Sequence, residues 1–133
     1  MTAQIHFKAG PGSAPNNLDV PKRDIGGGML VQYIGSGENM NAVHWNLPDG
    51  SIIPRHNHPQ EQFGYVIRGG FEAIIDGVGE FKLKAGDSYF IPSNLYHEFK
   101  AIGETEAVDV FAPLRDMSTI GGRPQQPDGE QPE

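Results

Sequence analysis

The chain has no cysteine among its 133 residues, which excludes disulfides, thiolate metal ligands and cysteine nucleophiles. It also has no run of about 18 apolar residues, so we expect no transmembrane helix and no membrane partner. Near the N-terminus, Ile5 and Phe7 are the only large apolar side chains around His6 and Lys8, which is too little for the apolar core of a signal peptide. These absences together predict a cytoplasmic protein.

Positive charge is also scarce. Ten Lys and Arg residues stand against 17 Asp and Glu residues, and the formal net charge is -7. Nucleic-acid binding draws much of its affinity from basic side chains on phosphates, so we expect no nucleic-acid partner. Part of the acidity lies in residues 116–133, and the charge therefore says little about the substrate.

Turn-forming residues, in contrast, are abundant. Eighteen glycines and 11 prolines separate short apolar runs, which is typical of an all-β chain. The length allows one domain with a modest core. Arg68-Gly69-Gly70 predicts a hairpin, and Asp76-Gly77 predicts a second turn. The predicted strands cover residues 29–34, 42–47, 52–58, 63–67, 71–76, 80–84, 88–91, 97–102 and 107–112, as a double-sheet jelly roll requires.

Three segments are predicted along the chain. Residues 1–24 form an N-terminal arm, because Gly, Pro and Asn crowd positions 10–17. Residues 25–115 form the barrel. Residues 116–133 form a tail that we expect to be disordered, since it is acidic and rich in Pro and Gln.

Two of the five histidines, His56 and His58, stand one residue apart. On the predicted strand they point to the same face, because side chains alternate along a strand. Paired imidazoles suit Zn, Ni, Cu, Fe or Mn. Counting on by two reaches Gln62, whereas Glu61 falls on the opposite face. The alternative is a barrel without metal, in which the histidines only form hydrogen bonds.

At this spacing the chain resembles the cupin superfamily over residues 26–115. The first cupin motif is matched by Gly50, His56, His58, Gln62 and Gly69, with glutamine where glutamate is usual. The second motif is matched by Gly86, Pro92, Asn94 and His97, with Ala101 where a final asparagine is usual. Asn94 replaces a glycine, which is a mild departure because asparagine tolerates a left-handed backbone.

The resemblance implies an all-β cupin double-stranded β-helix, a jelly-roll barrel in a single domain. It also implies one divalent transition metal (Zn, Ni, Fe or Mn). The implied ligands are His56, His58, Gln62 and His97, with Glu61 as the fallback for Gln62. A neutral amide in place of a carboxylate leaves such a site more positive, which strengthens Lewis-acid polarisation of a bound oxygen.

A second group of polar residues lies near the end of the predicted barrel, in the segment DVFAPLR of residues 109–115. Strand alternation puts Asp109 and Phe111 on one face. An isolated carboxylate in an apolar strand is costly to bury. Asp109 therefore faces either solvent, with Arg115 on the surface, or a polar pocket.

Here the chain looks like the small single-domain cupins of pectin and alginate breakdown, which convert 4,5-unsaturated monouronates to a linear keto sugar. The resemblance rests on HNHPQEQFGYVIRG, IPSNLYHEF and DVFAPLR. It implies that Asp109, Phe111 and Arg115 line the pocket beside the metal. Arg115 would clamp the uronate carboxylate through two hydrogen bonds, and Asp109 would act as general acid or base.

Three functional classes remain open. The first is a metal-dependent lyase or isomerase acting on a small carboxylated sugar or enol. The second is an Fe- or Mn-dependent dioxygenase of a small organic substrate, and the third is a non-catalytic ligand-binding cupin. A stand-alone barrel with a polar, metal-lined pocket favours an enzyme with a small-molecule substrate. The resemblance, together with an arm able to pair with a neighbour's sheet edge, predicts a homodimer.

Four further side chains need an interpretation. His44 falls on the face opposite Trp45, so we expect Trp45 in the core and His44 outside it, where a dimer contact would lie. Tyr65 and Tyr96 are interpreted as barrel aromatics in preference to proton donors.

Overall fold

The computed structural model describes residues 14, 16, 19–117 and 120. Most of the predicted N-terminal arm (1–24) and most of the predicted tail (116–133) lie outside the described residues. In the part that is described, no helix has the length and apolar character needed to cross a membrane.

Eight antiparallel strands make up the described fold. They are β1 Arg23–Asp24, β2 Leu30–Ser36, β3 Asn41–Leu47, β4 Ile52–His56, β5 Glu61–Ile75, β6 Gly79–Lys84, β7 Ser88–Ile91 and β8 His97–Ala112. The predicted all-β architecture is confirmed, and the shorter strands lie within two residues of their predicted positions. Each strand is bounded by the Gly, Pro, Asn and Asp residues that favour turns.

Two long strands, β5 and β8, connect the two layers of the fold. The first half of β5 pairs with β7 and its second half with β6. Likewise, the first half of β8 pairs with β4 and its second half with β3, which continues to β2 and β1. Because β5 and β8 also pair with each other along their length, they form a ribbon that bends from one sheet into the other.

The predicted hairpin at Arg68-Gly69-Gly70 is wrong. Strand β5 continues through these residues, with register shifts against β8 on both sides of Arg68. Gly69 has a φ of 76°, and Gly103 on β8 has a φ of 75°. These glycines bend the ribbon at bulges, which turn a strand without ending it. The second predicted turn is confirmed, since Asp76 and Gly77 separate β5 from β6.

The apolar core lies between the two sheets. On β3, Val43, Trp45 and Leu47 face inward and are buried, as their alternation predicts. Phe71, Tyr89 and Phe99 pack edge-on or tilted, with ring centroids 4.9 to 6.3 Å apart. This aromatic cluster matters for the site, because the Phe99 ring also contacts the imidazole of His97, with centroids 6.4 Å apart.

A candidate metal centre inside the barrel

Two paired strands bring His56 and His97 together. His56, the last residue of β4, is paired in register with His97, the first residue of β8. His58 follows β4 in a loop, so the predicted strand through both residues 56 and 58 is too long by two residues. Pro59 explains the early end of the strand, because proline cannot donate to a β-ladder. The His58 carbonyl accepts a hydrogen bond from the Asn94 N–H at 2.8 Å, which joins this loop to the one before His97.

Asn94 has the left-handed backbone that its place in the second motif requires, with a φ of 68°. Its backbone carbonyl also accepts a hydrogen bond from the Asn57 side chain at 3.1 Å. The two loops that carry the histidines are therefore bound to each other on both sides of Asn94.

The three imidazoles converge at one point of the barrel. One ring nitrogen from each of His56, His58 and His97 lies within 4.8 Å of the others. The ring centroids are 4.3 Å apart for His56 and His97, 5.0 Å for His58 and His97, and 5.5 Å for His56 and His58. This group can hold a metal ion.

Backbone carbonyls fix which nitrogen of each imidazole faces the centre. A carbonyl can only accept a hydrogen bond, so a ring nitrogen that contacts one carries the proton. In all three histidines this nitrogen is Nδ1. The accepting carbonyls are those of Pro54 for His56 at 2.7 Å, Gln60 for His58 at 3.1 Å and Leu95 for His97 at 2.9 Å. Nε2 of each ring is left with the lone pair that a metal ion needs.

The electrostatics of the cluster keep these lone pairs available. Burial lowers the pKa of His56 and of His58 to about 3, and neighbouring positive charge contributes. Burial likewise lowers the pKa of His97 to about 4. The imidazoles are neutral at neutral pH, as metal ligation requires. The Nε2 atom of His97 is buried without a hydrogen-bond partner among the described residues.

Gln62 is the fourth polar side chain at this centre. It is buried, and its Oε1 lies 3.0 Å from Nε2 of His58. Because the proton of His58 is on Nδ1, neither Nε2 of His58 nor Oε1 of Gln62 carries a hydrogen. Two lone pairs therefore face each other, and a cation bound to both atoms would stabilise this arrangement. Glu61, the fallback ligand, is exposed on the other face of β5. The parity expected from the sequence is therefore observed for both residues.

Asp109 faces the interior of the barrel, not solvent. Its carboxylate accepts hydrogen bonds from the Tyr89 hydroxyl at 2.6 Å and from the Trp45 indole N–H at 2.8 Å. The Gln62 side chain donates a third. Burial raises the pKa of Asp109, and these hydrogen bonds with the charge of Arg115 oppose the rise. Of the two alternatives left open by the sequence, the polar interior is the one observed.

Arg115 and Phe111 lie beside the same cluster. Phe111 is fully buried, and its ring is edge-on to that of His58, with centroids 5.6 Å apart. The guanidinium carbon of Arg115 lies 4.9 Å from the centre of the Phe111 ring. The positive charge of Arg115 contributes to the lowered pKa of all three histidines. The structure thus brings the seven residues singled out by the sequence into one region.

Three residues at the site were not singled out from the sequence. Tyr89 and Trp45 donate to Asp109, although Trp45 was expected only as core. The Asn41 side chain bonds both the N–H and the carbonyl of Arg115, at 3.2 and 2.8 Å, and so holds the segment after β8. A buried tyrosine or tryptophan needs a partner for its polar tip, but strand alternation alone does not tell which partner.

The other polar candidates lie apart from the cluster. His44 is on the outer face of its sheet, as expected, yet it is buried and bonded to Glu106 at 2.7 Å. Tyr65 and Tyr96 are both exposed, so neither ring packs inside the barrel. Tyr96 stacks under the guanidinium of Arg55 at 4.1 Å.

Comparison with known proteins agrees with this architecture. Polyketide synthase CurC of Streptomyces cyaneus is 37% identical over 75 residues, which cover 54% of this chain and 48% of that protein. This chain therefore spans about half the length of CurC. Pectin degradation protein KdgF of Dickeya dadantii is 29% identical over 99 residues, which cover 73% of this chain and 89% of that protein.

A solved structure of KdgF from Halomonas sp. superposes with a TM-score of 0.72 at 26% identity, covering 77% of this chain and 96% of that chain. The family model of the cupin domain matches residues 43–111, a little over half of the chain and the part that carries all three histidines. The chain belongs to the cupin domain family.

Proposed function

We propose that this chain is a metal-dependent enzyme of the lyase or isomerase type that acts on a small carboxylated sugar, such as a 4,5-unsaturated uronate. The observation that carries the proposal is the arrangement of three neutral imidazoles beside a buried carboxylate and an arginine. The relatives named KdgF, one of them described as a pectin degradation protein, support a sugar acid as the substrate.

The residues present fit one divalent transition metal (Zn, Ni, Fe or Mn). His56, His58 and His97 would hold it through Nε2, and Gln62 through Oε1. The buried Nε2 of His97 without a partner and the facing acceptors of His58 and Gln62 both support this set. When bound, the ion would act as a Lewis acid on a substrate oxygen. Imidazole and amide ligands suit several such ions, so availability decides the identity.

Arg115 is the group that we assign to the substrate carboxylate. A guanidinium binds a carboxylate through two parallel hydrogen bonds. The contact with Phe111 orients the guanidinium plane, and Asn41 fixes the backbone that carries it. Uronate and metal-binding groups would therefore meet at one end of the barrel.

Asp109 is the group that we assign to proton transfer. In the ring opening of an unsaturated uronate, the anomeric hydroxyl loses its proton and C1=O forms while the bond between C1 and the ring oxygen breaks. The released enolate takes a proton at C4 and becomes a ketone at C5, so no oxidant is consumed. A buried carboxylate whose pKa is raised is better matched to this task than an exposed one. Tyr89, Trp45 and Gln62 hold the carboxylate in place for the transfer.

The test is an anaerobic assay on unsaturated monouronates with protein of measured metal content. We expect loss of the ultraviolet absorbance of the C4=C5 double bond, without oxygen, and the same rate in air. No turnover of any unsaturated uronate by metal-loaded protein would contradict the proposed reaction.

A second candidate is an Fe- or Mn-dependent dioxygenase of a small organic substrate. The 37% identity over 75 residues to the protein named polyketide synthase CurC favours a polyketide-derived compound as that substrate. Oxygen uptake that depends on such a compound would support this candidate. A non-catalytic ligand-binding cupin would show binding of a uronate or polyketide without turnover under either atmosphere.

A further inference from the structure

Three side chains from three other strands meet at the Asp109 carboxylate. Trp45 belongs to β3, Gln62 to β5, Tyr89 to β7 and Asp109 to β8. Its two oxygens accept hydrogen bonds from the Tyr89 hydroxyl and the Trp45 N–H, and the Gln62 side chain is the third partner. Burial raises the pKa of the Tyr89 hydroxyl well above its usual range, so this hydroxyl remains a donor. Together these four residues form a buried network, which we call the Asp109 network.

The Asp109 network decides which end of the Gln62 amide faces the histidines. An amide side chain has one donor end and one acceptor end. Oε1 of Gln62 lies 3.0 Å from Nε2 of His58, and the Asp109 carboxylate is a hydrogen-bond partner of the same side chain. The NH₂ group is therefore the end that bonds Asp109, and this bond holds Oε1 towards His58. Without the carboxylate, the two amide orientations would no longer be distinguished in this way.

Gly64 makes room for the Asp109 network, because it has no side chain. It is paired in register with Tyr89 on one side and with Asp109 on the other. A Cβ atom at position 64 would lie 2.0 Å from Cζ of Tyr89 and 2.4 Å from Oδ1 of Asp109. The backbone of β5 is therefore bare where the tyrosine ring crosses it to reach the carboxylate.

We propose that Tyr89 and Trp45 are positioning residues of the metal centre, which act through Asp109 to present the Gln62 carbonyl oxygen to the ion. The inference rests on the proposed metal site. Tyr89 and Trp45 bond to Asp109 and, among the described residues, to none of the three histidines. Asp109 in turn places a carboxylate one hydrogen bond away from Gln62, a ligand that is itself neutral. Hydrogen-bonded partners of metal ligands contribute to affinity in this way.

The experiment is a titration of the metal-free full-length chain with Co²⁺, followed by calorimetry and by the visible absorption of the bound ion. Tyr89→Phe removes one donor and retains the ring. We expect it to weaken binding about 3- to 10-fold and to change the Co²⁺ spectrum, and Asp109→Asn to weaken binding about 10- to 100-fold. Tyr65→Phe is the matched control, because it makes the same change on the exposed face of β5, and we expect it to bind like the wild type.

Wild-type affinity and an unchanged spectrum in Tyr89→Phe would overturn the inference. If that variant does not fold, Trp45→Phe in the same titration decides the question by the same criteria. A wild-type chain that binds no Co²⁺ would overturn both this inference and the proposed metal site. A wild-type chain that binds Co²⁺ but leaves unsaturated uronates unchanged would overturn the proposed substrate alone, because the titration does not depend on turnover.

Discussion

At the scale of single residues, backbone carbonyls prepare the site for an ion. In each of the three histidines, the Nδ1–H group donates a hydrogen bond to a backbone carbonyl two residues away. The loops around positions 54–60 and 95–97 thus orient the rings before any ligand binds. Such preorganisation lowers the cost of binding, because little side-chain freedom is lost when the ion arrives.

Arg115→Lys tests the assignment of Arg115 to the substrate carboxylate. Lysine keeps the charge but loses the paired donors of the guanidinium. We expect KM for an unsaturated uronate to rise about 10-fold or more, which corresponds to ~1.4 kcal/mol of lost binding, with unchanged metal content. Steady-state kinetics and elemental analysis of the same preparation measure both. Unaltered kinetics on every active substrate would remove Arg115 from the substrate site.

The lowered pKa values of the three imidazoles predict an acid sensitivity of the metal-free protein. Their pKa values of about 3 to 4 lie below the value of about 6.5 for an unfolded chain. As pH falls below 6.5, the unfolded state binds protons that the folded state does not. The free energy of unfolding therefore decreases, by up to ~1.4 kcal/mol per pH unit for each histidine.

Urea unfolding of metal-free protein at several pH values between 7 and 5 measures this slope. His97→Gln removes one of the three groups and should reduce the slope by up to ~1.4 kcal/mol per pH unit, which separates the histidines from other titrating residues. Equal slopes for the wild type and His97→Gln would contradict the assigned protonation states.

The candidate ligands can be predicted from the sequence, whereas the side chains around them cannot. Spacing and parity placed His56, His58 and Gln62 on one side and Glu61 on the other, as observed. The partners of Asp109 were not predicted, because they come from strands that are distant along the chain. Strand alternation gives the face of a residue, but only the pairing of strands tells which side chains share that face.

At the scale of elements, the bent ribbon of β5 and β8 is the main departure from expectation. The glycine pair after Arg68 predicts a turn from the sequence alone, because glycine occurs at both turns and bulges. The distinction depends on whether the strand keeps its partner, and β8 continues beside β5 on both sides of the bend. A local pattern cannot show such a long-range pairing.

Gly69→Ala tests the bend. A Cβ atom there would lie 2.3 Å from the Glu104 carbonyl oxygen, and the φ of 76° is unfavourable for alanine. We expect a loss of about 2–5 kcal/mol in the free energy of unfolding. The control is Gly77→Ala, which has a φ of 77° but no atom within 4 Å of the new Cβ, and should cost only about 1–2 kcal/mol. Equal losses in urea unfolding would mean that the close approach at Gly69 does not matter.

At the scale of the whole molecule, one outer face of the barrel is unusually apolar. Phe63 on β5 and Phe90 on β7 are cross-strand neighbours and are 46% and 56% exposed. Tyr65 and Ile67 extend the same row along β5. Exposed apolar patches of this kind often mark protein interfaces, and the predicted homodimer would use this face.

Phe90→Glu should therefore shift a dimer towards monomer in sedimentation velocity, because a buried unpaired carboxylate is costly at an interface. Ile74→Glu is the control. Ile74 is 42% exposed and lies on the half of β5 that pairs with β6, away from Phe90 on β7. We expect the control to sediment like the wild type. A monomeric wild type, or a dimer indifferent to Phe90→Glu, would contradict this face as the interface.

The three-histidine metal centre is tested most directly by comparing the metal content of the wild type with that of His97→Ala. Both are purified without added metal, then loaded with one divalent ion, desalted and measured by elemental analysis. We expect about one ion per wild-type chain and almost none in folded His97→Ala, with His44→Asn retaining the wild-type content. Equal metal content in the wild type and His97→Ala would contradict the three-histidine centre.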